Sequence, residues 1–558
     1  MKEKLKFHGL HIAFFLLITV LYSYIYWADV GGTLEPVLYH NDDGTFHLIR
    51  ALSLENITQS PINFKFFNHN GNPTLLFYPY LTLFPLYWIT QLCNNLILSY
   101  YIFWAIITFC SLEITFYVAY KISKKVNLAI LTSIVYVFCF TRTTSIYHRL
   151  AVGEALAMTF LPLVLYGIYQ IFYTKSTKPR WFALALGMTL IAYTHMLSLV
   201  MAAVFITFFL IMSCIHRTMT WNRFLALLKS ASFSLLMTLG LFGPMLQFQT
   251  FTKIKEPLLY QLSDTAMSVN QVVDASLSNN LASEDNLGIV LLIFLIVSVI
   301  GFSKFKSTFF KDLVISGLIF SFLSTNLFPW HFFQDIFYNI QFPWRFFVLA
   351  SIAISFTGSY IIIQLCQTPK MQNLAVSCLI VVLVLINWGT ISRVQTQDSF
   401  FSEQSFINEM NSTSFNGIND YTPIVGEEQG IDISFDRQNI QEHKIKVSDD
   451  KWVYPTKLKY TANKLTLTLD MPEKEQNTVI LPVWAYPGEQ VTLNGQSIKV
   501  KKAYNGATQV PVKNGKNVYT ITYKYTLLAR TMQIISLISM LAFIGLWIFD
   551  LYRPKQAS

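Results

Sequence analysis

Residues 154–180 read EALAMTFLPLVLYGIYQIFYTKSTKPR, a largely apolar run that ends in a basic cluster. About 20 consecutive apolar residues are enough for a helix to cross the hydrocarbon core of a bilayer. Such runs recur along the 558-residue chain, of which 53% is hydrophobic and only 13% is charged. A soluble domain could not bury that much apolar surface, so the composition predicts a polytopic membrane protein built mainly of α-helices.

The first apolar run follows the basic stretch MKEKLK, as a signal peptide would. It has no small-residue cleavage site before Asp29, and many further runs follow, so we interpret it as a retained first helix. By the criterion of roughly 20 apolar residues, the chain contains about twelve crossings. They are expected near residues 10–27, 97–120, 126–141, 154–173, 181–194, 196–214, 231–249, 287–303, 311–328, 345–366, 372–390 and 531–551.

The basic residues orient these crossings. With the N-terminus in the cytoplasm, nearly every basic cluster falls on the cytoplasmic side, as the positive-inside rule requires. The net charge of +10 therefore reports membrane topology rather than binding to nucleic acid. Both ends of the multi-pass chain are then cytoplasmic. The stretches HNDDGTFHLIR, YHRLAVGE and QFPWR face the other side of the membrane.

One apolar segment does not fit this alternation. Residues 75–92 (LLFYPYLTLFPLYWITQL) are apolar enough to cross, yet counting them would place all later basic clusters outside. The segment also contains Pro79 and Pro85. We therefore interpret it as a re-entrant or interfacial part of a first outer loop, residues 28–96, with a second outer loop at 142–153.

The composition changes after residue 390. Alternating apolar and polar residues, as in KLKYTANKLTLTLDM, are typical of half-buried strands, and three later stretches each contain an Asn-Gly turn pair. We predict a membrane domain at 1–390, an extracytoplasmic β-rich domain at 391–529, and a last helix with a cytoplasmic tail at 530–558. The β-rich domain would bind a carbohydrate or polymer, cover the site, or act as a structural cap.

The stretch after the first helix, YHNDDGTFHLIR (39–50), concentrates charged residues. If a helix begins at Gly44, then Asp43, His47 and Arg50 recur at i, i+4 and i+7 along one face. Asp is also a favoured helix cap, and Asp-Gly is a common turn pair. A capped helix and a catalytic carboxylate are both consistent with this pattern.

A second cluster lies at the mouth of a later crossing, where Tyr147, His148, Arg149 and Glu154 are close in sequence. Glu154 falls at the start of an apolar helix, so it would also complement the helix dipole without any further role. Ionisable groups at this depth are also found as ordinary interface residues.

Two further outer turns carry candidate residues. His195 lies between two predicted crossings, where it is either an interfacial histidine or part of the site. Trp344 and Arg345 follow a proline at the outer end of another helix. Arg345 is either a snorkelling anchor beside a belt tryptophan or a ligand for phosphate.

These residues together suit a lipid-phosphate substrate. A carboxylate would deprotonate an acceptor hydroxyl, and the cationic side chains would stabilise the departing phosphate. The cytoplasmic segments contain no Walker-type glycine-rich loop for a nucleotide. The energy for a reaction outside the cytoplasm must then be stored in a lipid-linked donor.

Several motifs resemble a known family. NDDGTFHLIR followed by NPTLLFYPYLTLFPLYW is similar to the first outer loop of the bacterial membrane proteins called 6-pyruvoyl-tetrahydropterin synthase-related, which resemble the GT-C superfamily of glycosyltransferases. YHRLAVGEALAMTFLPLVLYG, THMLS, QFPWRFF and DYTP follow in the matching order. The C-terminal stretch WAYPGEQVTLNGQSIKV is similar to the β-domain of enzymes that glycosylate teichoic acids.

The resemblance implies a GT-C-like fold and an inverting transfer of a sugar from a polyprenyl-phosphate donor to a cell-envelope polymer or glycolipid. It implies that Asp43 is the general base and that Asp42 is a helper or a ligand of a divalent cation. The need for a metal stays open; if Mg²⁺ or Mn²⁺ is present, Asp42 and Asp43 would hold it. The resemblance further implies that His47, a third catalytic residue, binds or polarises the donor phosphate with Arg149 and Arg345, and that Glu154 positions the second outer loop. The candidates for binding the donor phosphate or substrate are His148, Arg149, Glu154, His195, Arg345, Tyr147 and Trp344.

Other function classes stay open at this point. A polymerase or ligase acting on lipid-linked oligosaccharides would use the same chemistry. A transporter is less consistent with spans that contain few ionisable residues, Glu113 and Lys229 being exceptions. A non-catalytic assembly protein is the third alternative.

Overall fold

The computed structural model describes residues 2–27, 35–39, 42–256, 258–279, 281, 286–397, 400–410, 420–425, 433–473 and 476–552. The side chains of residues 2–10, 42, 394–397, 401, 409 and 410 lie outside this description. The chain forms two compact units. The first comprises Met1–His47, Trp88–Leu235 and Leu259–Gln404, and the second comprises Leu48–Tyr87, Leu236–Leu258 and Ser405–Ser558.

Helices make up most of the described chain. They are α1 Lys2–Ile25, α2 Asp42–Leu52, α3 Thr74–Phe77, α4 Phe84–Cys93, α5 Leu96–Ser123, α6 Val126–Val137, α7 Phe140–Tyr147, α8 Val152–Ile168, α9 Phe182–Ala192, α10 Met196–Ile215, α11 Trp221–Phe251, α12 Leu262–Thr265, α13 Val269–Ser278, α14 Ile289–Ile300, α15 Thr308–Leu323, α16 Gln334–Phe337, α17 Phe347–Leu365, α18 Pro369–Gln397, α19 Glu403–Met410, α20 Ser434–Gln441 and α21 Leu527–Tyr552. A π-helical turn, Tyr169–Tyr173, extends α8, and 3₁₀ turns lie at Ser53–Asn56, Phe67–His69, Leu81–Leu83, Phe302–Lys304, Trp330–Phe332, Tyr338–Ile340 and Pro343–Phe346.

Several of these helices are suited to a bilayer, which confirms a multi-pass helical protein. Within the described ranges, seven are long and apolar enough to cross, or eight if the bent pair α6–α7 counts as one crossing. The seven are Leu96–Ser123, Val152–Tyr173, Met196–Ile215, Trp221–Phe251, Pro343–Leu365, Pro369–Arg393 and Leu527–Tyr552.

The other predicted crossings fall on shorter helices. The apolar part of α1 described here is His11–Ile25, and α9, α14 and α15 have 11, 12 and 16 residues. Residues 75–92 form short pieces, of which the ten-residue helix α4 is the longest. Because a crossing needs about 20 residues, the count of about twelve crossings stays a prediction.

The C-terminal region is rich in β-strands, as predicted. Its strands are β3 Ile445–Ser448, β4 Lys451–Val453, β5 Lys457–Tyr460, β6 Lys464–Met471, β7 Thr478–Trp484, β8 Glu489–Leu493, β9 Gln496–Ile498, β10 Lys501–Lys502, β11 Ala507–Pro511 and β12 Gly515–Tyr523. They pair antiparallel in two five-stranded sheets, ordered β10-β11-β7-β3-β4 and β5-β6-β12-β8-β9. A separate pair, β1 Leu38–Tyr39 with β2 Phe400–Phe401, lies in the first unit.

The Asn-Gly pairs form turns where the sequence predicts them. Asn494 and Gly495 join β8 to β9 with φ of +52° and +84°, the conformation of a two-residue hairpin turn. Gly506 also has positive φ, in the turn before β11, and Gly515 has positive φ as the first residue of β12. The left-handed backbone that these hairpins require is therefore provided locally by glycine and asparagine.

Part of the predicted first loop belongs to the second unit. Ile62, Phe64 and Leu76 are buried in one apolar core with residues of β6, β7 and β12. The Asn56 amide donates to the Ala462 carbonyl oxygen at 2.9 Å. Residues 48–87 thus complete the core of the β-rich unit, although the linear order of the chain separates them from the strands.

The first unit has its own apolar core, formed by α1 and by helices from α5 to α18. Within it, α8 and α9 approach very closely at Gly167, where a β-carbon would lie 2.5 Å from backbone atoms of Leu184. Helix backbones can come this close only where one residue lacks a side chain. This contact positions α8, which carries Glu154 in its first turn.

We expect Gly167→Ala to destabilise the protein by about 1–3 kcal/mol, because the added methyl group overlaps a backbone that cannot move alone. Gly545→Ala is the matched control, since a β-carbon at this helical glycine meets nothing within 4 Å. Thermal unfolding of the two purified variants in one detergent checks this. Equal midpoints for the two variants would contradict the close packing of α8 and α9.

Candidate active site

The predicted acidic stretch lies at the beginning of helix α2. The helix begins at Asp42, two residues earlier than Gly44, so Asp43 lies in the first turn and is not the cap. The side chain of Asp42 lies outside the described residues. Asp43 is exposed, whereas His47 is buried at 3% exposure. A carboxylate in the first turn of a helix is stabilised by the helix dipole, so Asp43 can stay charged at a water-accessible position.

Arg50 belongs to the second unit and has structural contacts there. It is fully buried, and its Nη2 donates to the carbonyl oxygens of Pro79 at 2.6 Å and Tyr78 at 3.3 Å. The guanidinium carbon lies 3.7 Å from the centre of the Tyr78 ring. Burial lowers the pKa of Arg50 to about 10, so it remains protonated at neutral pH. Of the three residues predicted to share one face of this helix, Asp43 is exposed, whereas His47 and Arg50 are buried.

In the first unit, the segment around Asp43 packs against the second predicted cluster. The Tyr39 and His148 rings stack with their centres 4.3 Å apart. A β-carbon at Gly44 would lie 2.3 Å from Cδ1 of Leu150, so the contact requires glycine. Asp43 directly precedes Gly44 in the chain, and Arg149 directly precedes Leu150. The fold thus brings together two clusters that are separated by about a hundred residues in sequence.

The loop that carries Arg149 is held in an unusual conformation. The backbone N–H groups of His148 and Arg149 both donate to the Thr144 carbonyl oxygen, at 3.0 and 2.8 Å. Leu150 is buried with φ of +52°, which is rare for a residue with a branched side chain. Ala151 then forms an inverse γ-turn into α8, with φ −75° and ψ 69°. Backbone strain of this kind is concentrated at functional sites.

Glu154 connects two arginines from different parts of the chain. Nη1 of Arg149 donates to its Oε2 at 3.2 Å, and Nε of Arg345 lies 4.0 Å from the same oxygen. The Trp344 ring is near both cations, 4.2 Å from the Arg149 guanidinium and 5.5 Å from that of Arg345. Glu154 and Trp344 are 4% exposed. The site therefore concentrates two guanidinium groups around one buried carboxylate.

The loop before Arg345 is also strained. Gln341 has φ 63° and ψ −43°, and the Phe342 N–H donates to the Ile340 carbonyl oxygen at 2.7 Å, which is a γ-turn of the rarer positive-φ form. Nη1 of Arg345 donates to the Ile340 carbonyl oxygen at 2.6 Å and to Oε1 of Gln341 at 2.9 Å. The arginine thus holds the turn that precedes it.

His195 caps helix α10. Its Nδ1 accepts from the Ser198 backbone N–H at 3.3 Å and lies 2.8 Å from Oγ of Ser198. Because Nδ1 is an acceptor, the proton of the neutral ring is on Nε2. His195 is half-buried and lines a cavity together with Glu154 and Arg345.

Three of these side chains, those of Glu154, His195 and Arg345, line an open cavity of about 370 Å³, which includes space open to solvent. Glu154, His195 and Arg345 form its polar part, and the rest of the lining is apolar except for Ser198. The apolar lining comes from α8, α9, α10 and α17 and comprises Ala157, Met158, Leu161, Ile191, Leu197, Met201, Val348 and Leu349.

Most predicted site residues therefore meet in the first unit. Tyr147 stacks on Tyr26 with ring centres 3.6 Å apart, at the end of α7. The sequence analysis did not identify Gln341, Ser198 or the apolar lining. Leucine and methionine on a predicted crossing are indistinguishable from lipid-facing residues until the helices are packed.

The described residues do not contain a preformed metal centre. Within them, no group of three or more His, Cys, Asp and Glu side chains is arranged to hold a metal ion. The predicted pair Asp42 and Asp43 includes one side chain outside the description, so its use as a metal site stays a prediction.

We expect Glu154→Gln to destabilise the protein by about 3–5 kcal/mol, because it removes the charge of a buried ion pair. Glu55→Gln is the matched control, since Glu55 and Lys65 pair at 2.7 Å but both are 43% exposed. That variant should lower the free energy of unfolding by less than about 1 kcal/mol. Chemical or thermal unfolding of both variants measures the difference. Similar losses of stability would show that burial of Glu154 does not determine how much its ion pair contributes to stability.

Comparisons with known proteins find a structural likeness at low sequence identity. No protein-family model matches the chain, and no curated protein matches it. Among solved structures, the chain is similar to one described as the arabinofuranosyltransferase AftD from mycobacteria, with 14% sequence identity and a TM-score of 0.40. The likeness covers 70% of this chain, which spans 26% of the length of that protein. The assignment of the site therefore rests on the geometry of this chain.

Proposed function

We propose that the protein is an inverting membrane glycosyltransferase that uses a polyprenyl-phosphate-linked sugar as its donor. One observation carries the proposal: a cavity lined by Glu154, His195 and Arg345 is otherwise lined by apolar side chains and Ser198. A lipid phosphate likewise combines an anionic head with a hydrocarbon chain. The head would bind at the three polar side chains, and the first part of the chain would lie along the apolar residues of α8, α10 and α17.

Arg149 and Arg345 would bind the donor phosphate. A guanidinium group offers a rigid fork of N–H donors that matches phosphate oxygens, and both groups are largely buried, where such bonds are strong. Glu154 would orient the two forks. The N–H of His195 would add a neutral donor, and Trp344 would hold the two cations apart.

Asp43 would act as the general base. Its exposed carboxylate would accept the proton of an acceptor hydroxyl while the hydroxyl oxygen attacks the anomeric carbon. The bond from that carbon to the phosphate oxygen would break on the opposite face, and the polyprenyl phosphate would leave with the electron pair. The arginines would stabilise the charge that develops on the phosphate, and the anomeric configuration would invert.

The distribution of basic residues supports the extracytoplasmic face as the location of this chemistry, and the acceptor would be a cell-envelope polymer or a glycolipid. A divalent cation at Asp42 and Asp43 would help to neutralise the donor phosphate, but the steps above require only the residues named. A polymerase or ligase of lipid-linked sugars would use the same donor site with a different acceptor.

We expect Asp43→Asn to reduce sugar transfer by about 10²–10⁴-fold while membrane insertion is unchanged, because the amide cannot accept a proton. Mass spectrometry of envelope polymers, from cells that produce each variant in place of the wild type, measures this. Asp274→Asn is the control, since Asp274 is an exposed acid on α13.

A transporter predicts the opposite pattern. Glu113 of the candidate crossing α5 pairs with His11 of α1 at 3.3 Å. Transport would be sensitive to Glu113→Gln and indifferent to Asp43→Asn. Unchanged envelope sugars in the Asp43→Asn cells would refute the assignment of Asp43 as the base.

A further inference from the structure

Helices α6 and α7 form one candidate crossing that is bent by 42°. The break lies at Phe138 and Cys139, where Cys139 is extended with φ −64° and ψ 154°. The stretch contains neither proline nor glycine, which are the usual local causes of a sharp kink. Something other than the local backbone must therefore keep the two helices from joining.

The side chain of Arg142 spans the break. In a continuous helix the Val137 carbonyl oxygen would accept from the N–H of residue 141. Here it accepts from Nη1 of Arg142 at 3.0 Å. Nη2 of the same group lies 3.3 Å from Oγ of Ser111 and 3.5 Å from Oγ1 of Thr108, both on α5. A carbonyl left open within a bilayer needs such a replacement donor.

The position of this charge is unusual. Arg142 is 2% exposed within a candidate crossing, and within the described residues no carboxylate lies at ion-pair distance from it. A buried arginine in a membrane helix is costly and is retained where it has a task. Its direct contacts are the end of α6, the hydroxyls of α5 and the ring of Trp104 at 5.8 Å.

Helix α7 links Arg142 to the proposed donor site. Thr144, two residues after Arg142, provides the carbonyl oxygen that binds the N–H groups of His148 and Arg149. A straight α6–α7 helix would point that carbonyl in another direction. The direction of α7 therefore determines where the backbone of Arg149 is held.

We propose that Arg142 is a positioning residue, which holds the α6–α7 break open and thereby places Arg149 for the donor phosphate. The second half of this statement rests on the proposed function. The first half concerns only the backbone and can be tested separately.

The test compares Arg142→Gln with a variant in which the break is enforced by other means. Phe140→Pro suits this purpose, because proline is favoured at the first position of a helix and the residue before it is already extended. In a straight helix, the proline ring introduced by this substitution would clash with the Tyr136 carbonyl. The single variant Phe140→Pro shows how far the loss of the phenyl ring by itself changes the measured quantities. Ser133→Ala, which removes a buried hydroxyl from α6 before the break, is the control for lost polarity.

Two readouts on purified protein are used: the affinity for geranylgeranyl phosphate, with geranylgeraniol as the neutral probe, and amide hydrogen exchange over residues 143–150. For Arg142→Gln we expect affinity for the phosphate to fall about tenfold, the loss expected when one charge-assisted bond is misplaced. We expect faster exchange at His148 and Arg149. In the double variant, Phe140→Pro should restore both the affinity for the phosphate and the slow exchange at His148 and Arg149. Ser133→Ala should match the wild type in both measurements.

Wild-type behaviour of Arg142→Gln in both readouts would overturn the proposal, as would a double variant no better than Arg142→Gln. If the wild type binds phosphate and alcohol equally, the proposed donor site fails, and the exchange readout alone decides the role of Arg142. If Arg142→Gln does not fold, Arg142→Lys with and without Phe140→Pro takes its place. If Phe140→Pro slows amide exchange at His148 and Arg149 in the Arg142→Lys variant, the proposal is supported. If Phe140→Pro leaves that exchange unchanged, the proposal is overturned.

Discussion

The buried carboxylate of Glu154 is the interaction on which the proposed site depends. It lies in the first turn of a membrane helix, within 3.2 Å of Arg149 and 4.0 Å of Arg345, at positions where bulk water contributes little. Two guanidinium groups could not be buried side by side without such a shared counter-charge, because their mutual repulsion and desolvation would be uncompensated. The same carboxylate holds the guanidinium groups of Arg149 and Arg345 near each other, beside the cavity that Glu154 and Arg345 line.

The loops around this carboxylate have unusual backbone conformations, which are stabilised by hydrogen bonds to backbone carbonyl oxygens. Leu150 has a left-handed backbone, and Gln341 forms a γ-turn with positive φ. Each conformation lies next to an arginine of the site, and each is stabilised by hydrogen bonds from neighbouring groups. A site of this construction is pre-organised, since the energetic cost of the unusual backbone is met by the packed helices before any ligand binds.

Much of this could be predicted from the sequence, and some could not. Charged residues in apolar surroundings are conspicuous, so Arg149, Glu154 and Arg345 could be selected without a structure, whereas Asp43 was singled out from Asp42 by the family resemblance. The start of α2 was predicted two residues late, because the Asp-Gly pair resembles a turn. The assignment of residues 48–87 to the β-rich unit could not be predicted, since the hydrophobic effect has no direction and apolar residues in a loop do not reveal which core they join.

The sequence by itself determined the class of the protein, the positions of its long apolar helices and the hairpins of its C-terminal sheets. These are local properties, since hydrophobic run length, alternation and Asn-Gly pairs act over a few residues. The tertiary structure alone decided that Glu154 meets two arginines and that Arg142 bridges a broken helix. The reason is that a buried charge or an open carbonyl is satisfied by whichever group the packing brings within about 3–4 Å, and that partner is distant in sequence.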